Sequence, residues 1–260
     1  MSAAREPATL YVICGSHACR SAMLMLEHKR VVYRRVQLMT GPHGLSVRLR
    51  GFPGNPTPIR EVDGATHRML ALLDRAGTVP ALRYGERRVQ RNTDIARFLD
   101  AEIPQPPLFP RDAALRAEVE RAEQWGDQVL QMAARRVGLV TAVHGLGALH
   151  DRGASGRLGP LLAEGDLMRD MVARGARFTF RANARDEARL VGAIAPLLDR
   201  VDAWIGDGVL DGAEPNVADF MIAPSLALLS YRSDLSAEIA SRPAGAFVER
   251  FVPEPAGAQA

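Results

Sequence analysis

The sequence predicts an α/β domain followed by an all-helical domain. Three observations support this fold class: a strand–helix–strand pattern opens the chain, a proline-rich segment interrupts it at residues 104–111, and only helical patterns follow. With 260 residues, the chain is long enough to form two domains that each bury a hydrophobic core. We therefore expect domains at residues 1–103 and 112–260, joined by the proline-rich linker.

The first domain opens with TLYVIC, residues 9–14, an apolar segment rich in strand-forming residues. Gly15 ends this strand, and Ser16 can cap a helix that we expect to end near Lys29. A second strand is predicted at residues 31–38, VVYRRVQL. Two strands joined by a helix normally form a right-handed parallel crossover, so the N-terminus of the helix is expected at the carboxyl edge of a sheet.

The remaining pattern of the first domain is loop, helix, hairpin and helix. Residues 40–66 are dense in Gly and Pro and are predicted to be mostly loop. Residues 67–77 are predicted to form a short helix, and residues 78–90 a hairpin. A last helix, NTDIARFLDAE, is expected to have Asn92 or Thr93 as its cap.

Apolar residues of the second domain recur every three or four positions, which predicts helices with one buried stripe. A first helix is predicted to begin at Asp112, and a second to span residues 185–205 and to end at Gly206. Residues 138–183 are predicted to be helical segments broken by DRGASGRLGP. The stripe of the first helix contains Leu115, Val119, Ala122, Trp125, Val129 and Met132.

The composition excludes several classes of protein. Apolar residues make up 47% and charged residues 24% of the chain, as in folded globular proteins. No run of about 18 apolar residues and no signal-peptide pattern occurs, so we expect a cytoplasmic protein without a membrane span. Arginines alternate with acidic residues as on solvated helix faces, so no nucleic-acid partner is expected. The cysteines and histidines lack the spacing of metal ligands, so no metal is expected.

The position of Ser16 at the start of the first helix indicates a chemical role for this residue. The N-terminus of this helix presents unpaired N–H groups and partial positive charge, which favour an anion beyond Ser16. A thiolate is such an anion, because the pKa of a thiol falls from about 8.5 to roughly 3.5–7.5 at helix N-termini or beside positive groups. The Ser16 hydroxyl can donate a hydrogen bond to it. Alternatively, Ser16 is only a helix cap.

Three segments of the chain resemble glutathione transferase-like proteins. SHACRSAMLMLEHK resembles their first helix, and GTVPALRYGERRVQRNTDIARFLD resembles their VPxL motif, hairpin and next helix. EPNVADFMIAPSLALL resembles a helix of their second domain that opens with a capping box, here Asn216 and Asp219. The resemblance implies a thioredoxin-like N-terminal domain that binds glutathione and an all-α helical-bundle C-terminal domain that provides a pocket for a small-molecule electrophile. It also implies a homodimer.

The resemblance also implies roles for individual residues. Ser16 matches the catalytic Ser or Cys, and Cys19 matches the second cysteine of a CxxC redox motif. Val79 matches the residue whose backbone pairs with the tripeptide, and Pro80 matches the cis-proline. Because Ser16 stands where a first cysteine would, dithiol reduction is not expected.

The family's Glu–Ser pair, which holds the γ-glutamyl end of glutathione, is replaced by Arg91 and Asn92. Asn92 can still donate to a carboxylate, and Arg91 can pair with one. Because the charge of the pair has changed, the binding of a different thiol and the loss of thiol binding both stay open. Besides a transferase, a non-catalytic binding module and a thiol reductase using Cys19 remain as hypotheses. A buried Cys19 would be an inert apolar side chain. Arg135 and Arg136 are expected at a solvated helix end.

Overall fold

The computed structural model of the chain has an α/β unit followed by a helical unit, which confirms the predicted fold class. The structure describes residues 8–54, 61–62, 65–66, 72, 75–149, 156–159, 161 and 166–253. The described strands are β1 Ala8–Val12, β2 Tyr33–Gln37, β3 Glu61–Val62, β4 Ala65–Thr66, β5 Ala81–Tyr84 and β6 Arg87–Gln90.

The α/β unit is built on a four-stranded mixed sheet with the strand order β2–β1–β5–β6. β1 runs parallel to β2 and antiparallel to β5, and β6 pairs antiparallel with β5. All five residues of β1 are buried, as expected for a central apolar strand, whereas β2 is an edge strand whose side chains are half-buried or exposed. The sheet and its helices are thioredoxin-like, as predicted.

Two helices lie near the end of β1. Helix α1, His17–His28, begins directly after Ser16. Helix α2, His43–Arg48, lies in the segment that was predicted to be mostly loop, so the prediction is wrong for these residues. Gly44 of α2 packs closely against the backbone of Gly77. A Cβ on either glycine would lie only 2.7 Å from the carbonyl oxygen of the other, so both positions require glycine. This contact holds α2 beside the segment that leads into β5.

Helix α3, Asn92–Glu102, closes the α/β unit. Arg91, rather than Asn92 or Thr93, occupies its cap position, with a φ of 67°. The predicted cap is therefore wrong, because the helix already includes Asn92 in its first turn. The helix predicted at residues 67–77 lies mostly outside the described residues.

The helical unit contains eight described α-helices: α4 Ala113–Trp125, α5 Gln131–Val143, α6 Asp166–Thr179, α7 Glu187–Gly192, α8 Ala195–Gly206, α9 Val217–Leu229, α10 Ser233–Ala240 and α11 Pro243–Phe251. α4 begins after Asp112, whose carboxylate accepts a hydrogen bond from the Leu115 N–H at 2.8 Å. A π-helical turn, Gly126–Leu130, joins α4 to α5. The wider turn shifts the buried stripe, so Leu130 is buried and Val129 is exposed. The predicted stripe is wrong at Val129 and also at Leu115, whose side chain is exposed near the start of α4.

Helix α9 is the centre of the helical unit, and all 13 of its residues are buried. Its predicted capping box is confirmed. The Asn216 N–H donates to Asp219 Oδ2 at 2.8 Å, and Asn216 Oδ1 accepts from the Ala218 N–H at 2.9 Å. α9 packs against α1, α4, α5 and α11, so α1 is held between its own unit and the helical unit.

The connections contain one further difference. Residues 185–205, predicted to be one helix, form a 3₁₀ turn, α7 and α8, which ends at Gly206 as predicted. Residues 104–111 join α3 to α4 without regular structure, and a domain boundary there stays a prediction. The buried Lys29 supports this segment, since its Nζ donates to Asp100 Oδ1 at 2.7 Å and to the Pro106 carbonyl at 2.6 Å. Within the described ranges, no helix has the length and apolar character needed to span a membrane.

Candidate functional site

A cavity of about 520 Å³ lies between the α/β unit and the helical unit. The α/β unit contributes the turn between β1 and α1, the start of α2, and the segment before β5. Helices α5, α6 and α9 contribute the opposite wall, which is mostly apolar. The cavity brings together two of the predicted site residues, Ser16 and Val79, which are far apart in the sequence.

Ser16 caps α1, as predicted. Its backbone is extended, and its Oγ accepts a hydrogen bond from the Cys19 N–H at 3.2 Å. A serine hydroxyl is also a donor, so Ser16 can hold the helix start and donate its own proton into the cavity. The first turn of α1 carries no acidic side chain that would oppose a bound anion. A catalytic role for Ser16 stays a prediction.

The segment before β5 is held in place by a glutamine. Gln90 Nε2 donates to the Thr78 carbonyl at 2.9 Å, and Gln90 Oε1 accepts from the Gly54 N–H at 3.0 Å. The peptide bond between Val79 and Pro80 is cis. Val79 is buried and lines the cavity on the same wall as Ser16.

Cys19 contradicts its predicted role as a reactive thiol. Its side chain is completely buried, and burial raises the pKa of the thiol to about 11, although the Ser16 side chain acts in the opposite direction. A thiol that is buried and protonated is neither a nucleophile nor a redox partner. Cys14 is half-buried and lines the cavity.

Arg91 and Asn92 are engaged within the protein. Asn92 is buried, and its Nδ2 donates to the Ala18 carbonyl at 2.9 Å, so the prediction that it donates to a ligand carboxylate is wrong for this arrangement. Arg91 forms two hydrogen bonds of 2.8 Å with the carboxylate of Asp94. Neither residue is among the described residues that line the 520 Å³ cavity. Arg91 instead borders a second, polar cavity of about 650 Å³ beside Glu123 and the α4 helix.

Arg135 and Arg136 are not at a solvated helix end, so that prediction is wrong. Arg136 is buried, and its guanidinium donates to the carbonyls of Phe180 at 2.9 Å and Arg181 at 3.2 Å. Arg135 is half-buried and lines the cavity. Sequence reasoning missed Arg135 because the π turn before α5 sets which face of the helix reaches the cavity.

Two histidines contribute to the wall near α1. His17 is buried, and its Nε2 lies 3.2 Å from the Gln131 carbonyl, to which it donates in the matching tautomer. Burial, and then the Arg135 charge, lower the pKa of His17 to about 3. The same two causes lower the pKa of His43, whose buried Nδ1 has no hydrogen-bond partner among the described residues. His17 therefore ties the start of α1 to the start of α5 as a neutral side chain.

Comparisons with known proteins agree on the fold. Neither a protein-family model nor a curated protein matches the chain. A glutathione transferase from Phanerochaete chrysosporium is similar in structure with a TM-score of 0.61 and 17% identity, covering 96% of this chain and 98% of that one. A Ceriporiopsis subvermispora glutathione S-transferase in complex with glutathione has a TM-score of 0.61 and 14% identity, with coverages of 94% and 95%.

A third similar structure is a GST-like protein from Pseudomonas syringae. It has a TM-score of 0.55 and 16% identity, and the match covers 94% of this chain and 66% of that chain's length. At these identities the likeness defines a fold and no activity. The chain has the glutathione transferase fold.

Proposed function

We propose that the protein is a glutathione transferase-like enzyme that joins a low-molecular-weight thiol, glutathione or an analogue, to a small-molecule electrophile. One observation carries this proposal: a single cavity combines the capped N-terminus of α1, Val79 and an apolar wall from the helical unit. The first two suit a thiol peptide, and the third suits an apolar acceptor. A similar Ceriporiopsis subvermispora structure that contains glutathione supports this choice of thiol.

The proposed reaction depends on stabilising and positioning a thiolate. The N–H groups at the start of α1 and the Ser16 hydroxyl would favour the anionic sulfur over the neutral thiol. The sulfur then attacks an electrophilic carbon bound against the helical wall, a C–S bond forms, and the leaving group departs with the bonding electron pair. Val79 and the helical wall would fix the two reactants in one orientation.

A non-catalytic binding module is the second candidate. The internal contacts of Arg91 and Asn92 favour it, because these side chains stand where the family holds the γ-glutamyl end of glutathione. A thiol reductase that depends on Cys19 is not proposed further, since that thiol is completely buried.

Glutathione titration and an electrophile assay test the proposal. We expect heat of binding with glutathione in a calorimeter, and turnover of glutathione with 1-chloro-2,4-dinitrobenzene. Ser16→Ala removes a hydrogen bond to a charged group, about 1.5–3 kcal/mol, and so should lower kcat/KM by roughly 10–100-fold. Cys19→Ala, the matched control in the same helix, should keep most of the activity. Binding without turnover would favour the binding module, and the absence of both would refute thiol transfer.

We also propose that the protein works in the cytoplasm and that it is a homodimer, as the resemblance implies. Light scattering on the purified chain measures the mass in solution. A mass near the 28.2 kDa of one chain would contradict the dimer.

A further inference from the structure

The described lining of the 520 Å³ cavity contains one residue of the Asp, Glu, Lys or Arg type, which is Arg135 on α5. Around it lie apolar side chains of the helical unit, among them Leu139, Met171 and Leu228. The two histidines of the lining carry lowered pKa values and are neutral near pH 7. The described part of the wall that faces the acceptor is thus apolar with one cationic side chain.

Arg135 is held in a defined orientation on this wall. Its Nη2 donates to Gln131 Oε1 at 3.2 Å, and its guanidinium carbon lies 5.5 Å from the centre of the Phe180 ring, in cation–π range. Arg136 fixes the partner of this stack, since it donates to the Phe180 carbonyl at 2.9 Å. A guanidinium has five N–H donors in a planar fork, a geometry that matches the two oxygens of a carboxylate.

The positive charge of Arg135 acts on groups of the α/β unit. After burial, it is the second cause of the lowered pKa values of His17 at the start of α1 and His43 at the start of α2. An anion bound between the two walls would therefore be attracted by Arg135. An apolar pocket normally excludes a carboxylate, because an unpaired charge is costly to bury, and a fixed arginine reverses this preference.

We propose that Arg135 makes the enzyme selective for apolar electrophiles that carry a carboxylate. This inference rests on the proposed function, since it names the acceptor class of the same cavity. The carboxylate would pair with the Arg135 guanidinium while the apolar body packs against the helical wall. In the reaction the thiolate sulfur attacks the electrophilic carbon, the C–S bond forms, and a halide or similar group leaves with the electron pair; the thiol proton goes to solvent.

A pair of probes that differ in one charge tests this selectivity. They are 4-chloro-3,5-dinitrobenzoate and its methyl ester, each assayed with glutathione and divided by its uncatalysed rate. We expect the wild type to prefer the acid, and the ratio of kcat/KM values, acid to ester, to fall roughly 10–100-fold in Arg135→Gln. Arg135→Lys keeps the charge and should lose less. Arg116→Gln removes an exposed arginine on α4, outside the cavity lining, and should leave the ratio unchanged.

The remaining outcomes separate this inference from the proposed function. An equal fall for both probes in Arg135→Gln would assign the residue to the thiol and overturn the inference, as would a wild type without preference for the acid. If glutathione is not transferred to either probe, the proposed function fails. In that case, calorimetry of 3,5-dinitrobenzoate and its methyl ester tests the inference without turnover. Tighter binding of the acid that is lost in Arg135→Gln would support the inference. Equal binding of the acid and the ester to the wild type would refute it.

Discussion

The two walls of the cavity are built in different ways. The wall from the α/β unit consists largely of backbone and short side chains: the capped start of α1, the glycine contact beside α2, and the segment at Val79. The wall from the helical unit consists mostly of apolar residues on α5, α6 and α9, with the single cationic side chain of Arg135 among its described residues. The helix cap at Ser16 follows from local hydrogen bonding, whereas the glycine contact of the first wall and the whole second wall depend on packing between distant segments. In the proposed function, the first wall would hold the thiol and the second the acceptor.

The largest expected effect is on the backbone packing of the first wall. In Gly77→Ala the new Cβ would lie 2.7 Å from the Gly44 carbonyl oxygen, at a φ of 141° that L-residues avoid. We expect the free energy of unfolding to fall by about 3 kcal/mol in urea titrations. Gly147→Ala, where a Cβ would meet no atom of the described residues within 4 Å, should change it by less than about 0.5 kcal/mol. Equal stability of the two variants would refute the role of this contact.

His17, which joins the start of α1 to the start of α5, predicts that the free energy of unfolding depends on pH. Burial lowers the pKa of folded His17 to about 3, whereas an unfolded histidine titrates near 6.5. The unfolded state therefore binds the extra proton below about pH 6.5, and stability falls as the pH decreases from there towards 3. His17→Gln removes this titration, so the stability difference between wild type and variant should shrink by about 2 kcal/mol between about pH 7 and pH 5.

Urea titrations at about pH 7, 6 and 5 measure that difference, in which the contributions of other titrating groups cancel. The variant His43→Gln provides a comparison, because the His43 ring lies on the same wall and burial lowers its pKa in the same direction. Its stability difference from wild type should therefore also shrink as the pH decreases. A difference between wild type and His17→Gln that does not vary with pH would contradict a neutral, buried His17.

The smallest expected effect separates the structural and the chemical parts of Ser16. Ser16→Ala removes the hydrogen bond to the Cys19 N–H and should lower the free energy of unfolding by about 1 kcal/mol. Ser16→Gly has no hydroxyl to donate, but should keep most of the stability, because glycine at a helix cap costs only about a few tenths of a kcal/mol. Thermal unfolding and the electrophile assay then separate the two parts: a Ser16→Gly variant of nearly wild-type stability should lose as much activity as Ser16→Ala, and full activity would contradict the thiolate donor.

The sequence predicted those features that depend on neighbouring residues. The cap at Ser16, the hairpin formed by β5 and β6, and the capping box at Asn216 and Asp219 all follow from local hydrogen bonding, and all three are present. The same local rules failed at Asn92, because a tertiary hydrogen bond to the Ala18 carbonyl uses its side chain.

Tertiary structure decided the features that depend on distant residues. The exposure of a cysteine depends on what covers it, so Cys19 is unreactive although it stands at a motif position. The direction of the Arg135 side chain depends on the π turn, which shifts the register of α5. The spacing of apolar residues at every third or fourth position does not indicate such a shift.

By itself, the sequence therefore determined the order of elements, the two-part architecture and the serine at the start of α1, since backbone propensities and caps act over a few residues. Only the tertiary structure decided which side chains face the cavity. Burial, helix register and contacts between the two units arise from packing over long sequence separations, and these place Ser16, Val79 and Arg135 around one space.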